Sequence, residues 1–232
     1  ARVPVSGLTS KLYTAQLRRS IDPGRATPSD RVSAGSPAGA DSSETTHYSI
    51  VDAQGNAVAV TYTLNGNYGS GVTVPGAGFL LNNEMDDFTV APGVANMFGL
   101  VQGRVNRIEP RKRPLSSMTP TVVLHGGKLH SVLGSPGGSR IITTVLQVFL
   151  NMADFSMGVQ DAVNRPRFHH QWKPDTLSVE PGFPPGTLRL LGARGHAIEH
   201  ARSIGEVCAI ARQGEWIEGA ADARVPGKAS GY

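Results

Sequence analysis

Residues 27–44, TPSDRVSAGSPAGADSSE, hold little besides Ser, Ala, Gly, Pro and Asp, and at Thr45 the character of the chain changes at once. Residues 46–65, THYSIVDAQGNAVAVTYTLN, alternate and are rich in Val, Tyr and Thr. This boundary constrains the fold more than any other feature. A segment like 27–44 cannot bury enough apolar surface to order itself, which predicts a flexible linker. An alternating β-branched segment with turn residues at 52–56 predicts a hairpin with strands at about 46–52 and 57–64. The expected organisation is therefore a short leading piece, 1–44, and a main unit, 45–232.

The leading piece carries a short helical pattern, Leu8, Leu12, Leu17 and Ile21 among Lys11, Arg18 and Arg19, with Thr9 or Ser10 as its cap. In the main unit, residues 66–79 and 84–113 read as loops. A second hairpin is expected at about 118–124 and 129–133, turning at Gly126-Gly127. RIITTVLQVFLNMADF, from Arg140, is apolar on most faces and predicts a buried helix. Shorter helices near 158–164 and 185–194 and a terminal hairpin near 206–218 follow. Strand pairs followed by helices argue for layered sheets covered by helices. Glycine (28) and proline (16) are well above the roughly 12% of ordinary usage, which points to many turns and away from a helical bundle.

Several function classes drop out. Cys208 is the one cysteine, so no internal disulfide framework and no Cys-based zinc cluster is expected. The net charge of +4 comes without a basic stripe, so no nucleic-acid partner is expected. No apolar run nears the ~18 residues of a membrane span. The opening Ala1-Arg2-Val3-Pro4, with no Met and no signal-type apolar stretch, leads to the expectation of a soluble piece of a longer protein.

Five stretches carry candidate chemistry. A threonine at a linker–strand boundary has two readings. Thr suits strands. It also serves as a nucleophile when cleavage before it frees its α-amine as a base, here between Glu44 and Thr45. Gly134-Ser-Pro-Gly-Gly-Ser139 precedes the apolar helix. Its glycines let backbone N–H groups approach a ligand, as an oxyanion hole needs, while the plainer reading is a turn with Ser139 as N-cap. Ser116-Ser117 and the acids Glu84, Asp86 and Asp87 are together suited to a zwitterion, and singly to solvated loops. In Phe168-His169-His170-Gln171-Trp172 adjacent His side chains point apart, which argues against joint metal ligation and for a packed or hydrogen-bonded pair. No H-E-x-x-H or G-x-S-x-G occurs.

Taken in order, Thr45-Thr-His-Tyr-Ser49, Ala57-Val-Ala-Val-Thr-Tyr-Thr-Leu-Asn65, Leu81-Asn-Asn-Glu-Met-Asp-Asp-Phe88, Arg113-Pro-Leu-Ser-Ser-Met-Thr-Pro-Thr121, Gly134-Ser-Pro-Gly-Gly-Ser-Arg140, Asn164-Arg-Pro-Arg-Phe-His-His170 and the terminal Ala-Ser-Gly-Tyr232 resemble γ-glutamyltranspeptidases. The resemblance implies the α+β fold of N-terminal nucleophile hydrolases, an αββα sandwich, incomplete without a large subunit. It implies that 1–44 is the tail of that subunit and 45–232 the small catalytic one, released by self-cleavage between Glu44 and Thr45. It implies γ-glutamyl transfer from donors such as glutathione to water or an amino acid, with no metal or organic cofactor, in a periplasmic or secreted setting.

The implied roles are specific. Thr45 is the nucleophile and Thr63 the residue whose hydroxyl orients it. Gly137 and Gly138 supply the oxyanion hole. Asn65, Glu84 and Asp87 hold the α-amino end of the γ-glutamyl group, and Ser116 and Ser117 its α-carboxylate, beside an arginine of the large subunit. Pro92–Gly99 corresponds to a lid. Phe98 stands where a tyrosine often bonds across to the residue matching Asn65, so a less firmly latched lid is expected. Two alternatives accompany this reading: a cephalosporin or glutaryl acylase on the same scaffold, and an inert fragment when isolated.

Overall fold

The computed structural model describes residues 5–32 and 45–231. Most of the expected linker, with Glu44 of the expected cleavage site, and Tyr232 lie outside the described residues. The linker's first residues differ from expectation. Ser29–Arg31 form a short 3-10 turn, and Ser29 is buried. Its N–H donates to the Asp175 carboxylate at 2.8 Å, and its carbonyl accepts from the Trp172 indole at 2.7 Å. Two backbone bonds to one distant loop order a stretch whose side chains alone bury too little. The expected leading helix is split into α1 (Val5–Leu8) and α2 (Lys11–Arg19). The break falls at Ser10, whose hydroxyl accepts from Tyr13 N–H at 3.1 Å and so caps α2. Leu12, Leu17 and Ile21 remain exposed.

The main unit opens with the expected hairpin, β1 (Thr46–Val51) and β2 (Ala57–Tyr62). Asp52 fixes its turn by accepting from the N–H groups of Gln54 and Asn56. The second hairpin is β3 (Thr121–His125) and β4 (Lys128–Gly134), followed by α3 (Arg140–Ala153) and α4 (Val159–Asn164). Sequence reasoning missed a three-stranded sheet of β5 (Phe168–His169), β6 (Leu177–Val179) and β7 (Ile198–His200). Helix α5 (Pro185–Ala193) is the crossover between the parallel strands β6 and β7. The last hairpin, β8 (Cys208–Gln213) and β9 (Trp216–Ala221), extends the second one into a four-stranded sheet ordered β3-β4-β8-β9.

The layers follow from which faces are apolar. Helices α3 and α4 cover one face of the four-stranded sheet, enclosing a core that includes Leu133, Ile141, Val145, Val148, Val163 and Val207. The buried positions of α3, at 141, 144, 145, 148 and 152, form one helical stripe. Ile142 and Leu146 are exposed, so α3 is buried on one face and not on most. The β1–β2 hairpin packs against β4 and β8 on the sheet's opposite face. Its inward side chains are small or polar, while Tyr48, Ile50, Val58 and Tyr62 point outward and are exposed. The order is helix, sheet, hairpin: three layers of an αββα sandwich. No helix among the described residues is long and apolar enough to cross a membrane.

A buried ionic cluster ties this framework to the loop at 203–207. Arg167, 1% exposed, pairs with Asp222 at 2.7 Å and donates to the carbonyls of Val163, Ile204 and Gly205. Asp222 also pairs with Arg224 at 2.9 Å and accepts from Val207 N–H at 2.8 Å. Glu180 pairs with Arg224 and accepts from the N–H groups of Arg167 and Ile204. Burial pushes both carboxyls up, yet the guanidinium and N–H partners outweigh it and hold each below its ordinary value.

Candidate active site

The register of the first hairpin sets the site. Thr46 pairs with Tyr62, so Thr63 stands opposite Thr45 one step beyond the last pair. The Thr63 hydroxyl accepts from Asn65 N–H at 2.8 Å. That bond closes a tight turn in which Asn65 takes a left-handed conformation (φ 72°), tolerated best by Asn among residues with a side chain.

His47 anchors the strand behind Thr45. Its ring is buried against β4, where a Cβ on Gly134 would lie 2.2 Å from the imidazole, so only glycine leaves it room. Ser49 donates its hydroxyl proton to the Cys208 carbonyl at 3.3 Å and so accepts from His47 Nε2 at 3.1 Å. Burial lowers the pKa of the ring to about 4, so at neutral pH it carries one proton, on Nε2, and Nδ1 accepts from Thr61, its cross-strand partner, at 2.7 Å. The unfolded ring binds its proton near pH 6.5, so the unfolded state takes up more protons on acidification. Stability is expected to fall as pH drops from 6.5 toward 4. Thermal melts across that window check this, and a His47→Gln protein should show a flatter profile.

A cleft of about 450 Å³ opens at the end of the hairpin, lined by Thr45, Met97, Phe98, Gly137, Ser139, Arg140, Gln171 and the 203–206 loop. Gly137 has φ 128°, outside the range of L side chains, and a Cβ there would stand 3.2 Å from Gly205 Cα. The carbonyls of Gly137 and Gly138 accept from Arg140 and Ile141, opening α3, while neither glycine's N–H has an acceptor among the described residues. Two such N–H groups beside a hydroxyl at a helix start are suited to stabilising a developing oxyanion.

Ser139 departs from expectation. It stands at the N-cap position but has helical torsions, and its hydroxyl donates to Gln171 Oε1 at 2.7 Å instead of capping. His169 and His170 point apart. His169 bonds Thr143 and Gln171, and His170 bonds Asp175. Gln171, quoted within that motif but given no role, is a junction of the site; bonds to partners 32 and 73 positions away leave no local pattern to read.

The remaining candidate residues, like Gly138, are not among those that line the cleft. Ser117 is buried, and its hydroxyl donates to the Gly138 carbonyl at 3.2 Å, joining the serine loop to the glycine turn. Ser116 is exposed and accepts from Met118 N–H. Glu84 and Asp87 bound a 3-10 turn, Glu84–Asp87, with Asp87 buried. Asn65 is fully buried. Its amide donates to the Asn83 carbonyl at 3.2 Å and approaches Met97 Sδ at 3.8 Å, and its Oδ1 has no partner among the described residues.

Residues 1–232 match the gamma-glutamyltranspeptidase family. The chain belongs to that family. The glutathione hydrolase proenzyme of Escherichia coli (strain K12) is 52% identical over 209 residues, 90% of this chain and 36% of its own length. The chain thus spans about a third of that relative. A gamma-glutamyltranspeptidase from Pseudomonas nitroreducens, solved in complex with L-DON, is 47% identical with a TM-score of 0.77, covering 81% of this chain and all of that one. A cephalosporin acylase from Bacillus halodurans is similar at 26% identity and TM-score 0.82, covering 99% of this chain and 40% of that one. The transpeptidase family is therefore matched in sequence and fold, and the acylase mainly in fold.

Proposed function

We propose that this chain carries the catalytic half of a γ-glutamyltransferase and glutathione hydrolase that cuts itself between Glu44 and Thr45. One observation carries the reading: Thr45, at the first position before a strand, shares a cleft with Gly137 and Ser139 of the glycine turn that opens α3. In the first stage Thr45 Oγ attacks the Glu44 carbonyl and the C–N bond breaks, which frees the α-amine and leaves an ester; water then cleaves the ester to give the Glu44 carboxylate and the free Thr45 hydroxyl. In the second stage that amine takes the Oγ proton as Thr45 attacks a γ-glutamyl amide such as glutathione. The proton passes to the leaving amine, and water or an amino acid then attacks the ester, taking the γ-glutamyl group and restoring the Thr45 hydroxyl. Thr63 orients the nucleophile. Gly137 and Gly138 hold the oxyanion. Asn65, Glu84 and Asp87 receive the α-ammonium, and Ser116 and Ser117 the α-carboxylate.

The remainder of the precursor is the proposed partner. The outward face of β1–β2, with Tyr48, Ile50, Val58 and Tyr62, is apolar surface of the kind a subunit covers. The rival is acylase chemistry, supported by the fold similarity to the Bacillus halodurans enzyme. Hydrolysis of a γ-glutamyl anilide and of a glutaryl cephalosporin by the full-length precursor separates the two. The anilide is expected to react at least about tenfold faster in kcat/KM, a difference that one buried charged contact can supply. Preference for the glutaryl substrate sinks the transferase reading.

A further inference from the structure

We propose that Gln171 is a positioning residue that seats the lid, Pro92–Gly99, on the turn that opens α3. The proposal rests on the reading of this cleft as the site of γ-glutamyl transfer. The Gln171 side chain uses both ends of its amide. Its Oε1 accepts from the Ser139 hydroxyl at 2.7 Å and from His169 Nε2 at 3.0 Å. Its Nε2 donates to the carbonyls of Phe98, at 3.3 Å, and Lys173, at 3.1 Å. Both carbonyls can only accept, so the orientation of the amide is fixed.

These partners come from three separate stretches of chain. Ser139 directly follows Gly138, so one amide holds both the lid and the glycine turn that lines the cleft with Thr45. The other lid contacts go elsewhere. Met97 N–H donates to Asp86 at 3.2 Å, and Met97 Sδ meets the amides of Asn65 and Asn83 at 3.8 and 3.6 Å, where sulfur is a weak acceptor. Phe98 has no hydroxyl to reach across to Asn65. The bond from Gln171 grips the lid by its backbone, and it works whatever side chain stands at 98.

Two variants of the full-length precursor separate the two ends of the amide. Gln171→Glu keeps an acceptor for Ser139 and His169 and loses both N–H donors. Gln171→Met keeps the approximate shape and loses everything. Hydrogen exchange of peptides covering 94–103 is expected to speed up about threefold to tenfold in both, the range for one ordinary hydrogen bond. Peptides covering 137–144 should speed up in Gln171→Met alone. With a γ-glutamyl anilide donor and glycylglycine as acceptor, Gln171→Glu should keep kcat for hydrolysis within about threefold while the acceptor KM rises about threefold to tenfold.

Unchanged exchange over 94–103 in Gln171→Glu overturns the proposal whatever turnover does. Equal acceleration of both peptides in both variants, with no split between kcat and KM, overturns it in favour of general packing. Faster lid exchange in a precursor whose wild type releases no γ-glutamyl product supports the seat at Gln171 and removes the transfer reading instead.

Discussion

A full-length precursor carrying Thr45→Ala is expected to remain a single chain and to turn over γ-glutamyl anilide at less than about a thousandth of the wild-type rate. Both losses trace to one oxygen. The substitution leaves the β1–β2 pairs from Thr46–Tyr62 onward untouched, so the hairpin keeps its register. The melting transition should therefore stay near that of an uncut wild-type precursor, which separates lost chemistry from lost fold. Intact-mass measurement reads the first stage directly. A Thr45→Ala precursor that still splits after Glu44 assigns the cleavage to another agent, and residual turnover near the wild-type rate assigns the nucleophile to another residue.

The largest stability effect is expected at Asp222. Asp222→Ala strands the guanidinium of Arg167, 1% exposed, and removes the acceptor of Val207 N–H and one partner of Arg224. Breaking a buried pair on one side costs about 3–5 kcal/mol, because the remaining charge stays buried. The cluster fixes Ile204, Gly205 and Val207, so the cleft wall at 203–206 should loosen and turnover fall along with stability. Urea unfolding of the mature protein checks the size. A loss under about 1 kcal/mol indicates that water reaches Arg167. Replacing Arg167 and Asp222 together by Met and Leu should recover much of the loss, since a matched apolar pair leaves no stranded charge.

How far the sequence was legible depended on how local each signal was. The three hairpins announced themselves because alternation and turn residues lie within twenty positions of each other, as at 46–62 and 121–134. Strands β5, β6 and β7 span two or three residues, too few for a period, and β6 joins β7 only through a crossover. The α3 segment reads as apolar all round, but the contacts that decide which side is covered are tertiary. Among the residues lining the cleft, Thr45 and Gly137 stood out in the sequence through the boundary and the glycine pair. Their neighbours were not. The ion pairs among Arg167, Asp222, Glu180 and Arg224 join positions up to 55 apart, and no composition shows which charges meet. Ser139 illustrates the opposite failure: the local rule favours a cap, and a distant glutamine wins the hydroxyl.

The first hairpin also works as a ruler. From the turn at Asp52 to the last bonded pair, Thr46 with Tyr62, there are six residue pairs, a length of about 20 Å at ~3.4 Å per residue. Thr63 faces Thr45 only because that count is even-handed on both strands. Adding or deleting one residue in the turn would slide β2 by a position and turn its side chains to the other face. Surface turns in general tolerate changes in length. The span of this one is tied to the position of Thr45, and changing it would require the far end of the hairpin to be rebuilt.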